Sequence, residues 1–117
     1  MTLEQVREFA TPLPRSYEVF IHGRVKFRVG KIVWLSFSRD ETTMGFSFPK
    51  EFREALVESA PETFMLPTGS DLRFTWVVAR LAALELYEMH ELIRDAWETV
   101  VPLFVAKDYE EHCRTRS

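Results

Sequence analysis

The sequence predicts a two-layer α+β domain: an antiparallel sheet of about five strands with helices on one face, in the order α-β-β-β-α-β-β-α. Three observations carry this expectation. Residues 24–29 alternate, with Arg24, Lys26 and Arg28 on one side and Val25, Phe27 and Val29 on the other; a period of two marks a half-buried strand. Leu86, Met89, Ile93, Ala96, Trp97 and Val100 recur at helical spacing, with Glu88, Glu91, Asp95 and Glu98 opposite. Short turns separate the first strands, which favours antiparallel pairing.

Taken in order, Thr2 and Gln5 form a capping-box pattern, in which each side chain satisfies the other residue's backbone N–H. Leu3, Val6, Phe9 and Ala10 then keep helical spacing until Pro12 and Pro14. Tyr17 to Ile21 is apolar and β-prone, and His22-Gly23 reads as a turn. Val25 to Val29 is the first strand counted, Gly30-Lys31 a tight turn, and Ile32 to Phe37 a second strand, apolar on both faces and so expected inside the sheet. After the polar turn 38–42, Met44, Phe46 and Phe48 alternate with Gly45 and Ser47 as a third strand.

Pro49 suits the first turn of a helix whose spaced residues are Phe52, Ala55, Leu56 and Ser59. Pro61 ends it. Thr63 to Leu66 reads as a short strand, Pro67 to Asp71 as a loop, and Arg73 to Leu81 as a longer strand with Phe74, Trp76 and Val78 on one face and Val77 and Ala79 on the other. The final helix follows, with Pro102 kinking or ending it and Leu103 to Ala106 adding a turn. Residues 1–109 are read as one domain and 110–117 as a flexible tail.

The chain has 117 residues, of which 46% are hydrophobic, with ten Phe and three Trp; that favours a packed core over disorder. Cys113 is the one cysteine, so no internal disulfide forms, which points to a reducing cytoplasm. Glu4, Arg7 and Glu8 interrupt what would be the apolar part of a signal peptide, and no apolar run reaches the length of a membrane span. The net charge of -3 divides unevenly. Residues 1–50 carry eight Lys/Arg against five Asp/Glu, and residues 51–117 seven against thirteen. The basic half contains the alternating strand.

Catalytic and metal patterns fail on inspection. His90-Glu91 begins a zinc-helix motif, but the second ligand position is Arg94, which cannot bind zinc; an Arg94–Glu98 pair on a polar face is expected instead. His112 and Cys113 lie in the expected tail and fix no ligand geometry. The four glycines, 23, 30, 45 and 69, form no phosphate loop. No nucleophile motif is tied to His22. The reading is therefore of a non-enzymatic domain with no cofactor and no metal.

Arg24, Lys26 and Arg28, with Lys31 at a hairpin end and His22 in the adjoining turn, are the candidate contacts to an anionic polymer, and Arg39 is a further cation at a hairpin end. Three or four such contacts give weak, salt-dependent nucleic-acid binding. His22 also reads simply as a turn histidine. The cations also read as a solubilising outer or edge strand, with Phe27, Trp34 and Phe46 filling the core.

The run Gly23-Arg24-Val25-Lys26-Phe27-Arg28-Val29-Gly30-Lys31-Ile32 resembles the phenylalanine-centred hairpin of the YjbR/MmcQ family. Further stretches agree in order, among them Asp40 to Met44, Pro49 to Glu58, Ala60 to Phe64, Phe74 to Val77, Arg80 to Leu84 and Asp95 to Trp97. The resemblance implies a CyaY-like or secretion-chaperone-like α+β fold and DNA binding through a double-wing arrangement. It carries no catalytic set. Relatives often approach the first strand through a His- or Met-Pro-Thr/Ala-Phe pattern, where this chain has Arg24-Val25-Lys26-Phe27 and so adds cations. The expected partner is DNA. The alternative is a protein-interaction or self-associating module that uses the sheet face or an edge.

Overall fold

The computed structural model describes residues 1–67 and 75–116. The expected loop from 68 to Asp71, the start of the last strand at Arg73, and Phe74 lie outside these residues, as does Ser117. The described elements are α1 (Leu3–Ala10), β1 (Ser16–Ile21), β2 (Arg24–Val29), β3 (Ile32–Phe37), β4 (Thr43–Ser47), α2 (Arg53–Ser59), β5 (Phe64–Met65), β6 (Trp76–Arg80), α3 (Leu86–Glu98) and α4 (Leu103–Arg116). The strands form one antiparallel sheet in the order β1-β2-β3-β4-β6-β5.

The α+β class holds, with six strands where about five were expected. The additional one is β1, whose apolar, β-prone residues pair with β2 along their full length, from Ser16 opposite Val29 to Ile21 opposite Arg24. The turn between them is His22-Gly23, with φ of +53° and +77°. Two left-handed residues in a two-residue loop match the right-handed twist of a hairpin. Gly30 opens the next two-residue turn at φ +61°, where an L side chain is strained. The hydroxyl of Tyr17 donates to the Gly30 carbonyl and clasps this turn to β1.

β3 lies inside the sheet as expected, but for a further reason. Phe27 pairs with Leu35 and Arg28 with Val33, so Trp34 is an extra residue in β3. The bulge turns both Trp34 and Leu35 into the core, where each is fully buried. The Trp34 indole N–H has no acceptor there.

One face of the sheet is the core. Val25, Phe27 and Val29 of β2 meet Leu35, Phe37, Met44, Phe46, Val77 and Ala79 on it. The helical layer covers this face. The capping box of α1 is formed, with Gln5 N donating to Thr2 Oγ1 at 3.3 Å and Thr2 N donating to Gln5 Oε1 at 2.9 Å. Leu3, Val6 and Ala10 of α1 and Met89, Ile93, Ala96 and Trp97 of α3 are buried. Trp97 Nε1 donates to the Pro14 carbonyl at 2.8 Å, tying α3 to the link after α1. Leu86, expected in the stripe, stands exposed at the start of α3.

Two helices depart from expectation. Pro49 leads into a single 3-10 turn before α2, and the inward face of α2 is Arg53, Leu56 and Val57 rather than Phe52, Ala55 and Ser59. The short 3-10 entry rotates the helix relative to the spacing read from Phe52. At the C-terminus, residues 110–116, expected within a flexible tail, are helical and continue α4 to Arg116. Val105 and Ala106 bury its first turn, and Tyr109 packs edge-on against Trp97 at 5.2 Å between ring centroids, so tertiary contact supports the helix.

Candidate nucleic-acid interface

The strand register sends Arg24, Lys26 and Arg28 to the face opposite the helices. Each strand contributes to that outer face: Tyr17, Val19 and Ile21 from β1, Val33 and Ser36 from β3, Thr43, Gly45 and Ser47 from β4, and Trp76 and Val78 from β6. A row of partners crosses the whole sheet as Val19, Lys26, Ser36, Gly45, Val78 and Met65. β2 is an interior strand between β1 and β3. The reading of its cations as protection for a sheet edge therefore does not hold; the edge strands are β1 and β5.

An open groove of about 350 Å³ lies on this face. Arg24 and Lys26 line one side and Trp76 the other, with Ser36, Thr43 and Gly45 between. From β2 to β6 is three strand spacings, roughly 14 Å. Gly45 leaves room for the indole: a Cβ there would stand 3.3 Å from Trp76 Cε3 and 3.5 Å from Cζ3, so the ring would have to give by a few tenths of an ångström. The backbone under Trp76 is held from the other layer, where buried Arg53 directs Nη1 at the Trp76 carbonyl over a long 3.5 Å.

Two acidic neighbours of the basic strand, Glu18 and Asp40, are engaged elsewhere or held within their own turn. Glu18 lies on the helix-side face of β1, where Arg7 Nε donates to it at 2.7 Å and Arg7 Nη1 also reaches Glu4. Asp40 accepts from Ser38 Oγ at 2.7 Å and from Thr42 Oγ1 at 2.8 Å. These hydrogen bonds, that from Ser38 foremost, hold the Asp40 carboxyl below its ordinary range. Among the described residues, the ion pairs within 4.0 Å involve Arg7 and Arg94, and none involves Arg24, Lys26 or Arg28. Arg28 is half-buried between Tyr17 and Val33, and its Nε lacks an acceptor.

The five residues singled out in the sequence do not form one cluster. Arg24 and Lys26 share the groove, and Arg28 continues their line along β2. His22 sits at the β1–β2 turn, where its carbonyl accepts from Arg39 Nε at 3.2 Å. Lys31 lies in the β2–β3 turn, at the other end of a six-residue strand, about 20 Å away. Arg39 thus joins the near end of the patch, on the loop after β3. The sequence does not mark Trp76 as a site residue. Its signal was the alternation of Trp76 and Val78 against Val77 and Ala79, which fixes two faces but not which one is covered.

The other motifs resolve as structure. His90 stacks on Phe9 with 4.1 Å between centroids, and Arg94 pairs with Glu98 at 3.5 Å. Among the described residues, no group of His, Cys, Asp and Glu is placed to hold a metal ion, and no helix is long and apolar enough to cross a membrane.

Comparison with known proteins decides the family. The YjbR family model matches residues 11–99. The chain belongs to the YjbR family. The match begins after α1 and ends just beyond α3, so it contains the whole sheet. The crystal structure of Deinococcus radiodurans protein DR2400, which carries a DUF419 domain, superposes with a TM-score of 0.74 at 20% sequence identity, over 85% of this chain and 78% of that one. That likeness supports the shared fold. Among curated proteins, none matches.

Proposed function

We propose that this YjbR domain is a non-enzymatic, cytoplasmic nucleic-acid-binding module, and that the outer face of its sheet is the contact surface. The observation that carries this reading is the line of Arg24, Lys26 and Arg28 on a face bearing no described helix, with no described carboxylate in ion-pair range. Cations presented this way neutralise phosphates and release counterions. The net charge of the whole chain is negative, so attraction is local to this face and binding is weak at physiological salt. Cytoplasmic placement fits the single thiol, Cys113, exposed on α4.

The test is fluorescence anisotropy of a labelled oligonucleotide at low salt. The unmodified domain is expected to bind. The triple charge reversal Arg24→Glu, Lys26→Glu, Arg28→Glu is expected to abolish binding while its circular dichroism stays unchanged. Absence of binding by the unmodified domain to both duplex and single strands ends the proposal.

A second reading is favoured by one feature. β1 is a six-residue edge strand without Lys or Pro, and Phe20 on it is 71% exposed. Unprotected edges pair with other strands. Self-association through β1 predicts a solution mass twice 13.8 kDa that Phe20→Lys returns to monomer. A monomer at all concentrations excludes it.

A further inference from the structure

We infer that the outer face takes single-stranded rather than duplex nucleic acid, with one base stacked on Trp76 while Arg24 and Lys26 hold backbone phosphates. This rests on the nucleic-acid reading above and names its ligand class.

Three observations carry it. First, of the three tryptophans, Trp34 and Trp97 are fully buried in the core, whereas Trp76 is half-buried on the outer face and lines the groove. Second, the indole is seated by Gly45, and any side chain at that position would crowd its six-membered ring. Glycine within a strand lowers stability relative to alanine, so β4 gives up strand stability at the residue beneath the ring. Third, Trp76 and the two cations line a single groove, together with Ser36 and Thr43.

The groove thus carries an aromatic surface on one strand and positive charge on another, as a single strand carries bases and phosphates. A base in a duplex is already stacked on both sides and offers no face to a ring lying on a sheet. An unpaired base does, and every base has a π face, so such stacking tolerates sequence. Among the described residues, no helix lies on this face to enter a major groove. The chemistry is therefore that of single strands, whether ribose or deoxyribose.

The experiment is a titration of intrinsic tryptophan fluorescence with oligo(dT), with oligo(U), and with a duplex of equal length. Because Trp34 and Trp97 are buried, quenching reports Trp76. Quenching by a single-stranded oligomer, with weaker binding of duplex, is the expected result; the tighter of the two single strands identifies the sugar. Trp76→Leu is expected to lose about 5- to 150-fold in single-strand affinity, with duplex affinity unmoved and Trp76→Phe retaining part of the binding. Equal binding of duplex and single strand without quenching overturns the stacking inference but leaves nucleic-acid binding standing. No binding to any oligomer overturns both. The quenching measurement on the unmodified chain needs no variant to fold.

Discussion

Trp76 lies over Gly45, its Cε3 3.3 Å from where a Cβ on residue 45 would stand. The two residues come from adjacent strands, β4 and β6, at positions one step out of direct pairing: Gly45 faces Val78, and Trp76 faces Ser47. The large ring and the missing side chain therefore form one feature of the outer face.

Replacing Gly45 with Val tests that relationship. The branched side chain needs the space that the indole fills, and overpacking of this kind costs about 1 to 3 kcal/mol. The half-buried ring is expected to move outward, shifting its emission to the red. Single-strand affinity falls as it does for Trp76→Leu. An unchanged emission spectrum in Gly45→Val shows that the ring does not depend on Gly45.

The β2 cations should reveal themselves individually through salt. Each phosphate contact adds about 0.7 to the slope of log affinity against log salt for single strands, or about 0.9 for duplex. Lys26→Gln and Arg24→Gln are each expected to reduce the slope by about that amount. Folding stability should change by less than about 0.5 kcal/mol, as for other surface substitutions. Lys31→Gln, at the far turn, is expected to change the slope less than Lys26→Gln. Equal effects at Lys31 and Lys26 would place the contact around the β2–β3 turn instead of in the groove.

The face on which this strand pattern opens was only partly legible beforehand. Alternation from Arg24 to Val29 correctly separated core from surface, because a strand's period is fixed by its backbone. The same rule gives both faces of Trp76 to Arg80 but not which face the helices cover, so the sequence does not place Trp76 beside Arg24. β1 shows only faintly in the sequence because its burial is weak: as an edge strand it hides few side chains, and Phe20 stays exposed. The spacing of β3 suggested a strand buried on both sides, whereas a bulge at Trp34 sends two successive residues to one side. The helix of residues 103–116 owes its order to Val105, Ala106 and the contact of Tyr109 with Trp97, none of which shows as a stripe in the sequence.

The loop after β3 holds strain that can be removed. Glu41 has φ of +61°, a conformation that costs an L residue about 1 to 2 kcal/mol. Glycine relieves that strain but loses about 0.5 to 1 kcal/mol through unfolded-chain entropy. Glu41→Gly is therefore expected to stabilise the domain by roughly 0.5 to 1 kcal/mol, read as a rise in Tm. A lower Tm would mean that the Glu41 side chain contributes more than its backbone costs.

Two carboxylates should respond to pH in opposite senses. Burial, aided by nearby Glu91 and opposed by Arg94, raises the pKa of Asp95, so its protonated form favours the folded state. Its contribution is complete below the unfolded value, about 3.9, and is lost as pH rises through the raised folded value. Asp95→Asn is thus expected to raise Tm at neutral pH, with the gain vanishing in acid. Asp40 is lowered by its bonds from Ser38 and Thr42. Its contribution is present above the unfolded value and is lost as pH falls through the lowered one, so Asp40→Asn should lower Tm at neutral pH and converge on the parent in strong acid. Differences from the parent that stay constant with pH would contradict both assignments.

The central claim, that the outer sheet face is the binding surface, is tested most directly by an amide and indole NMR titration with oligo(dT) at low salt. The expected result is a set of shifts at Arg24, Lys26, Ser36 and Thr43 and at the Trp76 indole N–H, while the indole N–H groups of Trp34 and Trp97 stay in place. Shifts confined to α3 and α4, or no shifts at all, would contradict it.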